Sequence, residues 1–156
     1  MTVIFEDTTY VLNVSTKEEI FEKISSDLLK KDLITESFLE KIIERERSYP
    51  TGLNMRPVNP EYPNIAIPHT ESEYVKTTRI VPIKLMKPVL FNNMIDPSET
   101  LEVSFLFMIL NGKGETQAGL LAQIMDFINS SNKNELLSCL NSDDPKRIYE
   151  FISNNF

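Results

Sequence analysis

The run Leu101-Glu102-Val103-Ser104-Phe105-Leu106-Phe107-Met108-Ile109-Leu110 decides the fold class. Its second half, Phe105 to Leu110, is the longest uninterrupted apolar stretch in the chain. It is far shorter than the roughly 20 residues a membrane-spanning helix needs. A short apolar run that stops at a turn sequence, here Asn111-Gly112-Lys113-Gly114, reads as a strand buried on both faces. Working outward, Asn64 to Ile67 and roughly Thr77 to Leu85 are the neighbouring strand candidates, with a weaker pattern near Val3 to Val11. Proline has no N–H for a sheet ladder, so Pro82 is expected to place part of the second candidate at an edge or a bulge.

Helices bracket these strands. Ser15 and Thr16, each followed three residues later by Glu18 or Glu19, form overlapping capping boxes ahead of Ile20, Phe21, Ile24 and Leu28. Thr35 is the expected cap of a second helix, whose stripe is Phe38, Leu39, Ile42 and Ile43 and which stops at Tyr49-Pro50-Thr51-Gly52. Leu120, Leu121, Ile124, Met125 and Ile128 mark a third helix, and Asp143-Asp144-Pro145 opens a last one that buries Ile148, Tyr149 and Ile152. Helices before, between and after buried strands imply a layered α/β sandwich.

The chain's 156 residues, 41% hydrophobic and 25% charged, suit one domain over 1–156, with the proline-rich passage Tyr49 to Pro63 as a loop inside it. The net charge of −7 disfavours nucleic acid and anionic membrane surfaces as partners. With no long apolar run and no basic, signal-like start, a cytoplasmic protein without direct membrane insertion is expected. The lone Cys139, among Leu136, Leu137 and Leu140, excludes an intramolecular disulfide and reads as a packed side chain.

His69 is the single histidine, and it closes Ile65-Ala66-Ile67-Pro68-His69. Pro68 biases Ile67 toward extended backbone, so the imidazole is held at a strand end, where α/β sheets build their sites. Imidazole titrates near neutrality and can act as nucleophile, base or ligand. A zinc site would need more ligands; Glu71 and Glu73 lack metal-ligand spacing, so no metal is expected. Gly-x-Ser-x-Gly is absent, which disfavours a hydrolase elbow.

Arg45-Glu46-Arg47-Ser48-Tyr49-Pro50-Thr51-Gly52-Leu53, followed by Ile65-Ala66-Ile67-Pro68-His69, resembles the paired signature of phosphotransferase-system (PTS) enzyme IIA domains of the fructose/mannitol type. The resemblance spans nearly the whole chain. It implies a central mixed sheet with helices on both faces, and a phosphoryl-transfer site made by Arg45 and His69. It further implies a phosphoryl carrier of sugar transport that accepts phosphate from the phosphocarrier HPr and passes it to a cysteine of enzyme IIB. The membrane enzyme IIC belongs to the same system, and no cofactor is implied. The alternative is a regulatory relative of the nitrogen-PTS type, controlling partners by binding according to its phosphorylation state.

The residue chemistry suits phosphoryl transfer. A neutral imidazole nitrogen attacks phosphorus when its other nitrogen keeps a proton on an acceptor, and a guanidinium fork stabilises the equatorial oxygens. Arg45 and Arg47, about 200° apart on a helix, cannot both face His69; the motif favours Arg45, whereas physics alone leaves both open as helix-end cations. Thr51 is a candidate hydroxyl donor to the phosphoryl group, or simply a turn residue. The segment Gly112-Lys113-Gly114-Glu115-Thr116-Gln117 runs into a helix but is not a Walker A loop. Relatives of the mannitol and nitrogen-regulatory kinds carry a second histidine where Gln117 aligns; its absence here resembles the galactitol branch. A glutamine amide donates a hydrogen bond but has no acid/base role near neutral pH. Partner docking implies an apolar rim around His69, for which Leu53, Met55, Tyr62, Phe91 and Met94 are the candidates.

Overall fold

The computed structural model describes residues 2–112 and 117–156, with side chains described for all of these except Gln117 and Ala118. Its strands are β1 (Tyr10–Leu12), β2 (Gly52–Leu53), β3 (Asn64–Ala66), β4 (Thr78–Asn92) and β5 (Thr100–Asn111). The helices are α1 (Lys17–Lys30), α2 (Phe38–Ser48), α3 (Gln117–Ser130), α4 (Lys133–Leu140) and α5 (Pro145–Asn155). The strands form one mixed sheet in the order β1-β4-β5-β3-β2. β5 runs antiparallel to β4 and parallel to β3, β1 is parallel to β4, and β2 is antiparallel to β3.

From Phe105 to Leu110, β5 is apolar without interruption because both of its faces are covered there. Leu106, Met108 and Leu110 pack with Ile20, Phe21, Ile24 and Leu28 of α1 and Phe38 and Ile42 of α2. Phe105, Phe107 and Ile109 pack with residues of α3, α4 and α5, including Ile124, Phe127, Leu136 and Ile148. Each such buried side chain contributes about 1.5–3 kcal/mol, so the two helical layers hold the sheet in place. Cys139 is buried in the second layer, and burial pushes its thiol up to about 12.

Local signals explain most helix ends. The Thr16 hydroxyl accepts the Glu19 N–H at 3.2 Å and donates to the Glu19 carboxylate at 3.2 Å, and α1 ends as Asp32 turns left-handed at φ 58°. Asn132 and Asp144 cap α4 and α5 through side-chain oxygens. Thr35, the expected cap of α2, is not one: Ser37 holds that position without a side-chain bond, and the Thr35 carbonyl, not its hydroxyl, accepts from Phe38.

Pro82 lies within β4 at a local edge, as expected: β5 pairs it on one side, and β1 joins the other side only from Ile83 on. The N–H of Ile80 bonds the Val3 carbonyl, and the backbone nitrogen of Pro82 faces the same side two residues later. At that level the opposing chain has left the sheet through the helical turn Glu6–Thr8, so no acceptor waits for a proline N–H. The irregularity in β4 lies further on, between Lys84 and Val89. β2, read as turn in the sequence, is a two-residue strand wedged against the end of β4. No helix among the described residues is long and apolar enough to cross a membrane.

Gly52 sits where a Cβ would lie 2.6 Å from the Asn92 carbonyl oxygen, a backbone atom. Gly52→Ala is expected to destabilise the fold by about 1–3 kcal/mol, read as a lower urea midpoint at unchanged slope. Val58→Ala, at an exposed loop position, is expected to stay within about 0.5 kcal/mol of the parent.

Candidate functional site

His69 follows Pro68, just past the end of β3. β3 pairs with β5 through Ala66, and the pairing resumes past it: the Ile109 N–H donates to the Pro68 carbonyl at 3.0 Å, and His69 bridges Ile109 in parallel. The imidazole is thereby fixed to the buried strand. Its Nδ1 lies 2.9 Å from the Ile67 carbonyl oxygen. A carbonyl only accepts, so Nδ1 carries the proton and Nε2 keeps the free lone pair. Burial, reinforced by the Arg45 cation, holds the imidazole pKa below its ordinary 6.5, against the Ile67 carbonyl and Glu71, which favour the charged ring. The ring is neutral at pH 7.

Arg45 lies on the last turn of α2, and its Nη1 donates to Glu71 Oε1 at 2.8 Å. The guanidinium lies 5.2 Å from the centre of the Tyr49 ring, and its Nε is buried without a hydrogen-bond partner among the described residues. Glu71 is held below the usual carboxylate range by its own backbone N–H and by Arg45. Arg45, His69, Thr70, Glu71, Ser72 and Asn111 line one open pocket of about 290 Å³. Arg47 is exposed and does not line it. Of the two arginines, Arg45 is the one that shares a pocket with His69.

Other sequence candidates fall elsewhere. The Thr51 hydroxyl does not point to an incoming group: it donates to Glu46 Oε1 at 2.7 Å, while the Thr51 N–H donates to Glu46 Oε2 at 2.7 Å. Gln117 opens α3, but its side chain, like all of residues 113–116 of the glycine-containing loop, lies outside the described residues. Of the expected rim, Met55, Tyr62 and Phe91 are core residues; Phe91 is fully buried and meets Phe21 edge-on. Leu53 and Met94 are half-buried against the second apolar layer. Among the described residues, no three of His, Cys, Asp and Glu converge as metal ligands would.

Two contributors escaped the sequence reading. Asn111 ends β5 beside the pocket because the parallel register His69–Ile109 brings the next positions together. Glu46, only 3% exposed, occupies the position four residues after Ile42 on the buried stripe of α2. A carboxylate at an apolar repeat position was the available signal.

Residues 3–155 match the family described as phosphoenolpyruvate-dependent sugar phosphotransferase system, EIIA 2. Over 105 residues the chain is 26% identical to the galactitol-specific EIIA component of Escherichia coli strain K12, covering 67% of this chain and 66% of that protein, just under two thirds of its length. In fold it is similar to the mannitol IIA domain of Escherichia coli, with a TM-score of 0.72 at 16% identity over 96% of this chain and 98% of the other. It is also similar to the complex of Escherichia coli enzyme IIA and phosphorylated enzyme IIB for mannitol, with a TM-score of 0.75 at 14% identity and 99% of each chain covered. A paired motif, a mixed sheet with helices on both faces and a match along nearly the whole sequence agree: the chain belongs to the EIIA type 2 family of the sugar phosphotransferase system.

Proposed function

We propose that this protein is a phosphoryl carrier that takes phosphate from phospho-HPr on Nε2 of His69 and gives it to a cysteine of a cognate enzyme IIB, beside a membrane enzyme IIC. One observation carries the reading: the only imidazole in the sequence has Nδ1 engaged with the Ile67 carbonyl and lines a pocket together with Arg45. The galactitol-specific relatives support a galactitol-type pathway, and the IIA–IIB complex of similar fold supports a IIB partner.

In the first transfer the Nε2 lone pair forms a bond to phosphorus as the donor's bond to phosphorus breaks. The positive charge left on the ring is held by the Nδ1–H bond to Ile67. In the second, a thiolate attacks phosphorus, the P–N bond breaks, and its electron pair returns to Nε2. Charge on the equatorial oxygens faces the Arg45 guanidinium, whose Nη1 pairs with Glu71 in the unphosphorylated protein. The Arg45–Glu71 pair has side-chain exposures of 31% and 53% and is worth at most about 1 kcal/mol. Exchanging Glu71 for a phosphoryl dianion therefore costs little.

Incubation with phosphoenolpyruvate, enzyme I and HPr is expected to add one phosphoryl group by mass. His69→Ala abolishes the gain. Arg45→Gln slows single-turnover transfer by about 10²-fold, the scale of one lost oxyanion donor, while Arg47→Gln leaves it unchanged. No mass gain in the parent protein sinks the proposal, and onward transfer to enzyme IIB separates a carrier from a purely regulatory relative.

The pH dependence follows from the same contacts. A lowered pKa keeps Nε2 nucleophilic as pH falls, so the acid limb of the rate profile lies below pH 6.5. Glu71→Gln removes an anion that favours the charged ring and shifts the titration lower; Arg45→Gln removes a cation and shifts it higher. Ring-proton NMR titration of His69 reads both directions.

A further inference from the structure

A continuous series of hydrogen bonds links the helix that carries Arg45 to the imidazole of His69. It begins at Glu46, whose carboxylate accepts both the N–H and the hydroxyl of Thr51 at 2.7 Å each. The Thr51 carbonyl then accepts the Ile67 N–H at 3.2 Å. The Ile67 carbonyl accepts Nδ1–H of His69 at 2.9 Å. Two peptide segments that the topology brings together are thus stitched at a buried carboxylate adjacent in sequence to Arg45.

We infer that Glu46 is a positioning residue for phosphoryl transfer, clamping Thr51 so that the His69 imidazole and the Arg45 guanidinium keep one relative geometry. This rests on the carrier function proposed above.

A carboxylate is a costly choice at this buried position. Glu46 sits on an apolar stripe that Phe38 and Ile42 fill otherwise, and burial pushes its carboxyl up to about 7 despite the two Thr51 bonds. An apolar side chain there would escape that desolvation but would leave the two buried Thr51 donors without an acceptor. What an apolar residue cannot do is accept two donors from the segment that registers His69. In-line transfer is intolerant of error: a displacement of about 1 Å can cost 10²-fold in rate.

The clamp does not depend on charge. In the acid form one oxygen still accepts the Thr51 N–H, while the carboxyl O–H donates to the Thr51 hydroxyl oxygen, which has turned around. A glutamine amide makes the same pair of contacts. The cations acting on Glu46 are Lys17 from α1 and Arg45 on its own helix. Both remain in a Glu46→Gln protein, so its pH–rate profile should parallel that of the parent.

The test compares single-turnover transfer from phospho-HPr, HPr affinity and the ¹⁵N shifts of the neutral His69 ring. Glu46→Ala is expected to slow transfer by about 10- to 100-fold at unchanged HPr affinity, and to mix the Nδ1–H with the Nε2–H tautomer. Glu46→Gln restores rate and tautomer. Should Glu46→Ala fail to fold, Thr51→Val, which removes only the hydroxyl bond, is expected to slow transfer about tenfold and Thr51→Ser to restore it. Parent-like rates in both Glu46→Ala and Thr51→Val overturn the inference, as does Glu46→Gln being as slow as Glu46→Ala, which would assign the role to charge. If the parent takes no phosphoryl group, the carrier function falls by itself. The ring shifts then still decide whether Glu46 orients His69.

Discussion

The parallel pairing of the β3 segment along β5 is the constraint on which the site depends. β5 is buried by helices on both faces, so its position is set by the whole core. The bond from Ile109 N–H to the Pro68 carbonyl carries that rigidity one residue past β3, to His69. Without it the imidazole would sit on a loop, free to present either nitrogen. With it, the Ile67 carbonyl meets Nδ1 and a single nitrogen is left for chemistry.

Arg45 reaches the same pocket from the other apolar layer. α2 packs its stripe against the sheet face opposite to α3, α4 and α5, and its last turn delivers the guanidinium to the strand end. The two partners therefore belong to separate layers, each rigid, joined near the site through Thr51 and Ile67. Such an arrangement suits a relay between proteins. The pocket is open and lined by polar side chains, Glu71 pairs with the guanidinium, and burial favours the neutral imidazole.

What could be read from the sequence follows the physics that is local in sequence. Continuous apolarity of Phe105 to Leu110 reports two-sided burial, and the caps at Thr16 and Asp144 involve partners two or three residues away. Proline next to His69 marks the strand end directly. Features set by distant chain were not legible. Phe91, expected on the rim of the site, is core because α1 covers it. Thr51 shows the same limit: its hydroxyl meets Glu46 across a helix end, so residue type alone suggested a ligand donor where the fold uses an anchor.

The most direct test of the account is to find which nitrogen carries the phosphoryl group, by ³¹P and ¹⁵N NMR of the phosphorylated, histidine-labelled protein. Phosphorus bonded to Nε2 of His69, with Nδ1 still protonated, is the expected result. Phosphorus on Nδ1, or on any other residue, would contradict the claim that the Ile67 carbonyl sets the nucleophile.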